Sequence, residues 1–284
     1  MQLPLTRTVV PSIELLDEVG STNAELVARA AAGARAGGSP LPHFTVLATT
    51  NQTAGRGRLS RTWVAAPGTA VAVSVLLAPP GATLERLGWV PLLAGLAMCR
   101  AVRGLLPGSV DGRGSVVGLK WPNDVQVGGA KVSGILAEVV PGSTTTAPAE
   151  PGAAEPGSIA IVVGAGLNLT MSAEQLPVPT ATSLTLEGAA SDDLVDRAFA
   201  GYLRELRDLI DAHTAAGFDA DAGLRAAVLA ECTTIGADVR VERPEGELRG
   251  RAIDIDGTGR LVVDTGDSTV AVAAGDVTHV RPAG

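Results

Sequence analysis

The chain has 284 residues, 46% of them apolar, with a formal net charge of −8 and an isoelectric point near 4.9. That is enough apolar sequence for one large domain, or a large and a small one, without disulfides or a structural metal. The acidic balance excludes broad non-specific binding to DNA or to an anionic membrane, which needs a basic surface, but leaves open a small anion held by a few local cations.

No uncharged apolar run reaches the ~18 residues of a membrane-spanning helix. The N-terminal "MQLPLTRTVVPSIELLDEVG" lacks the apolar core and cleavage site of a secretory leader. Cys99 and Cys232 are far apart in sequence and read as packed thiols. A cytoplasmic protein is expected.

In chain order, residues 21–33 read as a helix, with Ser21 or Thr22 as N-cap, Glu25 at the capping-box position and Gly33 past its end. "FTVLATT" (44–50) reads as a strand entering the loop "NQTAGRGRLSRTW" (51–63), and "TAVAVSVLLAP" (69–79) as a second strand. Residues 84–106 read as a long apolar helix interrupted near Pro91. Residues 116–140 read as strand, turn and strand, with turn chemistry at Pro122-Asn123-Asp124 and Gly128-Gly129. Residues 141–158, rich in Pro, Gly, Ala, Ser and Thr, read as a mobile loop without a function of its own, and 158–170 as another strand. Residues 191–213 read as an amphipathic helix, with Leu194, Ala198, Tyr202 or Leu203, Leu206 and Leu209 near helical spacing. From about 234 the texture becomes short alternating strands, with turns at Pro244-Glu245-Gly246 and Asp256 to Gly259. That predicts a second domain, a small β-barrel over 234–284, after a first domain over 1–233.

One compositional detail points to a site. Of 22 basic residues only Lys120 and Lys131 are lysine, and asparagine occurs only at 23, 51, 123 and 168. All six fall in four segments: "GSTNAEL", "NQTAGRGRLSRTW", "LKWPNDVQVGGAKVSGILAEV" and "VVGAGLNL". Familiar machinery is absent. There is no Walker-type phosphate loop, "GAGLNL" lacks a third glycine for dinucleotide binding, and His43, His213 and His279 are isolated. No nucleophile-elbow or Ser/His/Asp pattern appears.

What remains is a set of cations with polar amides. Gly55 and Gly57 let backbone N–H groups approach a phosphate, and Arg56, Arg58 and Arg61 offer planar donor forks. Either this loop closes over an anionic ligand or it is a solvated basic turn. Lys131, in an apolar strand, either meets an anion or sends its amine out to water. Asp124 either binds Mg²⁺ or orients an incoming amine, or it satisfies its own backbone as an Asx-turn. Trp63 and Trp121 either stack on a purine or pack, and Gly164, Gly166 and Asn168 mark a close approach of a flat ligand or a bulge.

Taken together, "STN", "GRGRLSRTW", "KWPND", "KVSGILAEV" and "GAGLNL", in this order and spacing, resemble bacterial biotin protein ligases from about residue 13 to the end. The resemblance implies an α+β catalytic domain like those of class II aminoacyl-tRNA synthetases. Its sheet is mixed and largely antiparallel with helices on one side, followed by an SH3-like barrel. It implies ATP and biotin as substrates with Mg²⁺, formation of biotinyl-5′-AMP, and transfer to a lysine of a biotin carboxyl carrier protein. Carried over residue by residue, Ser21, Thr22, Asn23, Gln52, Gly55, Arg56, Gly57, Arg58, Lys131 and Gly134 would line biotin. Arg56, Arg58, Arg61, Trp63, Asn123, Lys131 and Asn168 would hold the nucleotide or adenylate. Lys131 and Arg58 would stabilise charge during catalysis, and Asp124 would orient the acceptor amine or hold the metal.

Two departures stand out. Ser60 sits where the family usually has glycine, which predicts a stiffer loop, and only about 20 residues precede Ser21, which predicts no DNA-binding domain and no repressor activity. A monomer or weak homodimer is expected, with no DNA or membrane partner. The alternatives are a lipoate or octanoate ligase with the same strand lysine, and a non-catalytic binder of biotin or its adenylate.

Overall fold

The structure is a computed structural model that describes residues 2–10, 12–35, 41–108, 114–143, 159–243, 246–273 and 276–279. The expected loop at 141–158, beyond Ser143, and the turn residues Pro244 and Glu245 lie outside them. The Ala/Val/Leu runs form a seven-stranded sheet. It takes β1 (Ile13–Leu16), β2 (Thr45–Thr49), β5 (Ala70–Leu77), β6 (Val117–Lys120), β7 (Asp124–Val127), β8 (Ala130–Val139) and β9 (Ile161–Asn168). Their spatial order is β1-β2-β5-β9-β8-β7-β6. β1 pairs parallel with β2 and every other neighbour pair is antiparallel. The short hairpin of β3 (Gly55–Arg56) and β4 (Thr62–Trp63) stands apart from this sheet. All eight residues of β5 are buried, as a central strand covered on both faces requires.

Strand side chains alternate between faces, and the two faces carry separate cores. Leu47, Leu76 and Val162 pack with Leu26 and Ala30 of α2 (Thr22–Arg35). Val46, Val73, Val75, Val163 and Ala165 join a larger core with α3 (Val90–Leu105) and α4 (Leu194–Ala215). Helices therefore flank both faces, not one side as expected; α2 covers the second face because its Leu26/Ala30 stripe matches the even-numbered apolar positions of β5 and β9. Ser21 Oγ accepts the Ala24 N–H at 3.4 Å as the N-cap, and the helix runs through Gly33 to Arg35. The long apolar helix divides where Pro91 predicts: a 3-10 turn (Leu84–Trp89) leads into α3, with Pro91 in the first turn, where its missing N–H leaves no bond unmade. The short helices α1 (Pro4–Val9) and α5 (Leu224–Glu231) and the edge strand β1 were not anticipated. α1 is fixed by Asp196 of α4, whose carboxylate accepts the Leu5 and Thr6 N–H groups at 2.8 Å.

The C-terminal strands β10 (Asp238–Arg243), β11 (Gly246–Ile255), β12 (Leu261–Asp264), β13 (Thr269–Val272) and β14 (Asp276–His279) form an antiparallel sheet in the order β13-β12-β11-β10-β14. This is consistent with the expected SH3-like domain; among the described residues no ladder joins the four-residue edge strands β13 and β14. Its β11–β12 connection meets the large sheet's layer directly. Trp89 Nε1 donates to Gly257 O at 2.9 Å and Trp121 Nε1 to Gly259 O at 3.1 Å. A side chain on Gly88 would overlap Thr258 O, so only glycine permits this approach. Trp121, 1% exposed, thus packs rather than presenting a face for stacking.

Candidate active site

On the α2 face of the sheet, small residues clear a trough. The cross-strand register aligns Ala72, Gly166, Gly134 and Asp124 in one row and Ser74, Gly164 and Leu136 in the next. β9 is a regular strand here, not a bulge, and its glycines make room for two side chains from elsewhere. A Cβ on Gly166 would lie 2.6 Å from the Trp63 ring, and one on Gly164 would overlap the Asn23 carboxamide. The resulting cleft holds about 140 Å³.

Its polar end is built at the start of α2. Ser74 Oγ donates to Asn23 Oδ1 at 2.6 Å and lies 2.8 Å from Thr22 Oγ1. Asn23 Nδ2 donates to Leu136 O at 3.1 Å and to Glu138 Oε2 at 2.9 Å. Gln52 Oε1 accepts the Thr22 N–H at 2.9 Å. Asn23 is 4% exposed, yet both ends of its carboxamide are bonded, so its orientation is fixed before any ligand arrives.

The cationic end depends on a β-bulge. Lys131 precedes Gly134 by three residues, so a regular strand would point them to opposite faces. Asp124 pairs with Gly134 and Val125 with Ser133, but Gln126 pairs with Lys131, leaving Val132 as the extra residue. The bulge turns Lys131 onto the cleft face. There Lys131 Nζ meets Asp124 Oδ1 at 2.6 Å, both side chains about a quarter to a third exposed. Lys131 has an anion partner, and the Asp124 carboxylate is turned to it. Asn123 steadies the same turn, donating to Ile135 O at 3.0 Å and accepting from Arg58 Nη1 at 3.3 Å.

The Arg/Gly segment is the β3–β4 hairpin. Gly57 N donates to Arg61 O at 2.7 Å and Arg61 N to Arg58 O at 3.1 Å. Leu59 and Ser60 at its tip have φ of 54° and 59°, both left-handed. This is the pattern of a type I′ turn, whose second central position favours glycine. Arg56 Nη1 pairs with Glu138 Oε1 at 3.1 Å across the cleft mouth.

Of the residues expected at the site, all but two line the cleft: Ser21, Thr22, Asn23, Gln52, Arg56, Gly57, Arg58, Arg61, Trp63, Asn123, Asp124, Lys131 and Gly134. Gly55 is buried behind Trp63, where a side chain would overlap the Trp63 carbonyl. Asn168, expected near adenine, is 4% exposed, and its Nδ2 donates to Thr182 O at 2.9 Å. Through that bond it anchors the segment that brackets Lys131: Lys131 N donates to Thr180 O and Thr182 N to Lys131 O, each at 2.8 Å. The sequence reading missed Ser74, one hydroxyl in an otherwise apolar strand, and Val277 of β14, which brings the C-terminal sheet to the cleft wall beside Lys120. Behind that wall Thr234 Oγ1 accepts the Trp121 N–H at 2.9 Å and lies 3.1 Å from His279 Nε2. Burial, helped by the Lys120 charge, pushes the His279 imidazole below its ordinary value.

Asp124 is the cleft's own carboxylate, and it is engaged with Lys131. Among the described residues no group of three or more acidic, histidine or cysteine side chains could hold a metal. The cleft lining therefore offers a metal one protein carboxylate, Asp124. No helix among the described residues is long and apolar enough to cross a membrane.

Known proteins share this architecture. Residues 35–148 match the model of the biotin/lipoate A/B protein ligase family, and 234–280 that of the biotin protein ligase C-terminal domain. The chain is 40% identical over 270 residues to the biotin–[acetyl-CoA-carboxylase] ligase of Mycobacterium tuberculosis, covering 95% of this chain and 89% of that one. It is 31% identical to the ligase of that name from Paracoccus denitrificans, covering 75% and 80%. The biotin protein ligase of Aquifex aeolicus, solved in complex with biotin and ATP, superposes with a TM-score of 0.67 at 22% identity, covering 95% of this chain and 99% of that one. A glycine-cleared trough bounded by Asn23 and Lys131 is thus carried on a fold and a sequence that are those of one group of proteins, and the chain belongs to the biotin protein ligase family.

Proposed function

We propose that the chain is an ATP-dependent biotin protein ligase that forms biotinyl-5′-AMP and pyrophosphate from biotin and ATP. It then transfers biotin to a lysine of a biotin carboxyl carrier protein, releasing AMP. The observation that carries this is the placing of neutral, pre-oriented amide and hydroxyl groups at one end of the cleft and Lys131 with Arg58 at the other. The first end suits an uncharged ureido ring, the second a carboxylate and a phosphate.

A carboxylate attacking the α-phosphate is already ionised at neutral pH, so the first step calls for positioning and charge stabilisation rather than a base. Lys131 and Arg58 supply the charge. When the phosphate takes the Lys131 ammonium, the Asp124 carboxylate is released to face the acceptor amine. The mixed anhydride hydrolyses if water reaches it, and the hairpin carrying Arg56, Arg58 and Arg61 closes over it. Mg²⁺ enters in this reading with ATP, as the metal–nucleotide substrate. Asn168 acts through the Lys131 backbone. The catalytic unit spans 1–233 and the SH3-like unit 234–284, as a cytoplasmic monomer or weak homodimer.

The matched family model takes in lipoate ligases as well, which makes a lipoate or octanoate ligase the second reading; the C-terminal match favours biotin. Incubating the protein with a carrier domain, ATP and each acid in turn tests this: the mass of one biotin on one carrier lysine supports it, and modification by lipoate alone refutes it.

A further inference from the structure

We propose that Glu138 is a positioning residue that ties closure of the Arg/Gly hairpin to the Asn23 end of the cleft, and so governs how long the adenylate is retained. The inference rests on the ligase reading above.

Glu138 follows Gly134 and Leu136 on the cleft face of β8 but does not itself line the cleft. Its two carboxylate oxygens are divided between two walls. Oε2 accepts Asn23 Nδ2 at 2.9 Å, on the floor, and Oε1 accepts Arg56 Nη1 at 3.1 Å, on the hairpin. A half-buried strand position ordinarily takes an apolar side chain, because a carboxylate there must be paired to offset its desolvation. At Glu138 each oxygen has its own donor.

The strengths of the two contacts differ in a useful way. Asn23 is buried and its carboxamide is also held by Ser74 and Leu136, so the floor contact is rigid. The Arg56 side chain is 55% exposed, and exposed ion pairs are weak and reversible. One contact is therefore permanent and the other can open to admit substrate and close again. Asn23, already fixed by Ser74 and Leu136, holds Glu138 in place, so the carboxylate offers a fixed anion to the returning Arg56. Arg58, two residues on, then reaches Asn123 and the phosphate side.

Glu138→Gln separates the two contacts. The carboxamide oxygen still accepts from Asn23, but its NH₂ faces the Arg56 guanidinium, donor against donor. The readout is a ratio: biotinyl-5′-AMP found free in solution per carrier lysine modified, measured on the full-length protein with biotin, ATP and pyrophosphatase. We expect Glu138→Gln to raise the ratio about fivefold, the range of an exposed ion pair. In an Arg56→Gln background the same substitution should add nothing. A variant that merely folds less well makes less of both products and leaves the ratio unchanged; that result overturns the proposal. So does an effect of Glu138→Gln that persists in full without Arg56. If the wild type forms no adenylate from biotin, the ligase reading falls and this inference with it. If it does and the ratio does not move, the latch alone falls.

Discussion

Lys131 Nζ stands 2.6 Å from Asp124 Oδ1 because the bulge at Val132 turns the lysine onto the face that Asp124 and Gly134 share. The contact ties a cation proposed for the first step to a carboxylate proposed for the second. Asp124→Asn should therefore leave pyrophosphate release within a few-fold of wild type while slowing transfer from preformed adenylate by roughly 10²-fold, the range for loss of a group that manages a proton or amine. Single-turnover transfer to a carrier domain measures it; equal losses in both steps contradict the division of roles.

Gly164 and Gly166 are required for different neighbours. A methyl group at 164 displaces the Asn23 carboxamide, and one at 166 lifts Trp63. Gly164→Ala should lower kcat/KM for biotin by about 100-fold, the cost of misplacing a positioning group by an ångström. Gly166→Ala should act chiefly on KM for ATP. Steady-state kinetics with each substrate varied separates them, and identical effects on both substrates contradict the geometry.

Much of this site was legible because scarce residues marked it. In a chain with two lysines and four asparagines, Lys131, Asn23 and Asn123 were conspicuous, and each lines the cleft. Pro91 announced the division of its helix, since its ring fixes a local backbone choice. Ser74 and Glu138 were not legible: both sit in strand runs whose periodicity gives a face but not the partner that the register brings opposite. The placing of α2 on the second face was hidden for the same reason, as was the contact of Trp121 with Gly259, 138 residues away. Asn168 shows the converse: rarity marked it, but its side chain is spent on the segment beside Lys131.

The hairpin tip places Ser60 at φ 59°, where a side chain costs about 1 kcal/mol and glycine costs nothing sterically. Ser60→Gly should favour the closed hairpin, slowing hydrogen exchange at the Gly57 amide, which donates to Arg61 O, by about fivefold. Faster exchange would show instead that the extra chain freedom of glycine outweighs the relief.

Stability should fall in mild acid. Burial pushes His213 and His279 below the ordinary 6.5. As pH drops through 6.5 the unfolded chain binds protons that the folded chain refuses, so stability is complete above 6.5 and declines toward the lower folded values. Asp196 belongs to a separate window: against its burial, hydrogen bonds from Thr6 and Leu5 hold it below 3.8, a contribution lost only as pH falls through that range. The urea midpoint should be level from pH 8 to 7 and lower at pH 5.5; a level midpoint down to pH 5 contradicts the histidine account.

The most direct test is pyrophosphate–ATP exchange with biotin, lipoate or octanoate supplied in turn, comparing wild type with Lys131→Ala. The account predicts exchange with biotin alone, reduced roughly 10²- to 10³-fold in the variant, as for removal of a main charge-stabilising donor. Exchange driven by lipoate, or biotin-dependent exchange that survives without Lys131, would contradict it.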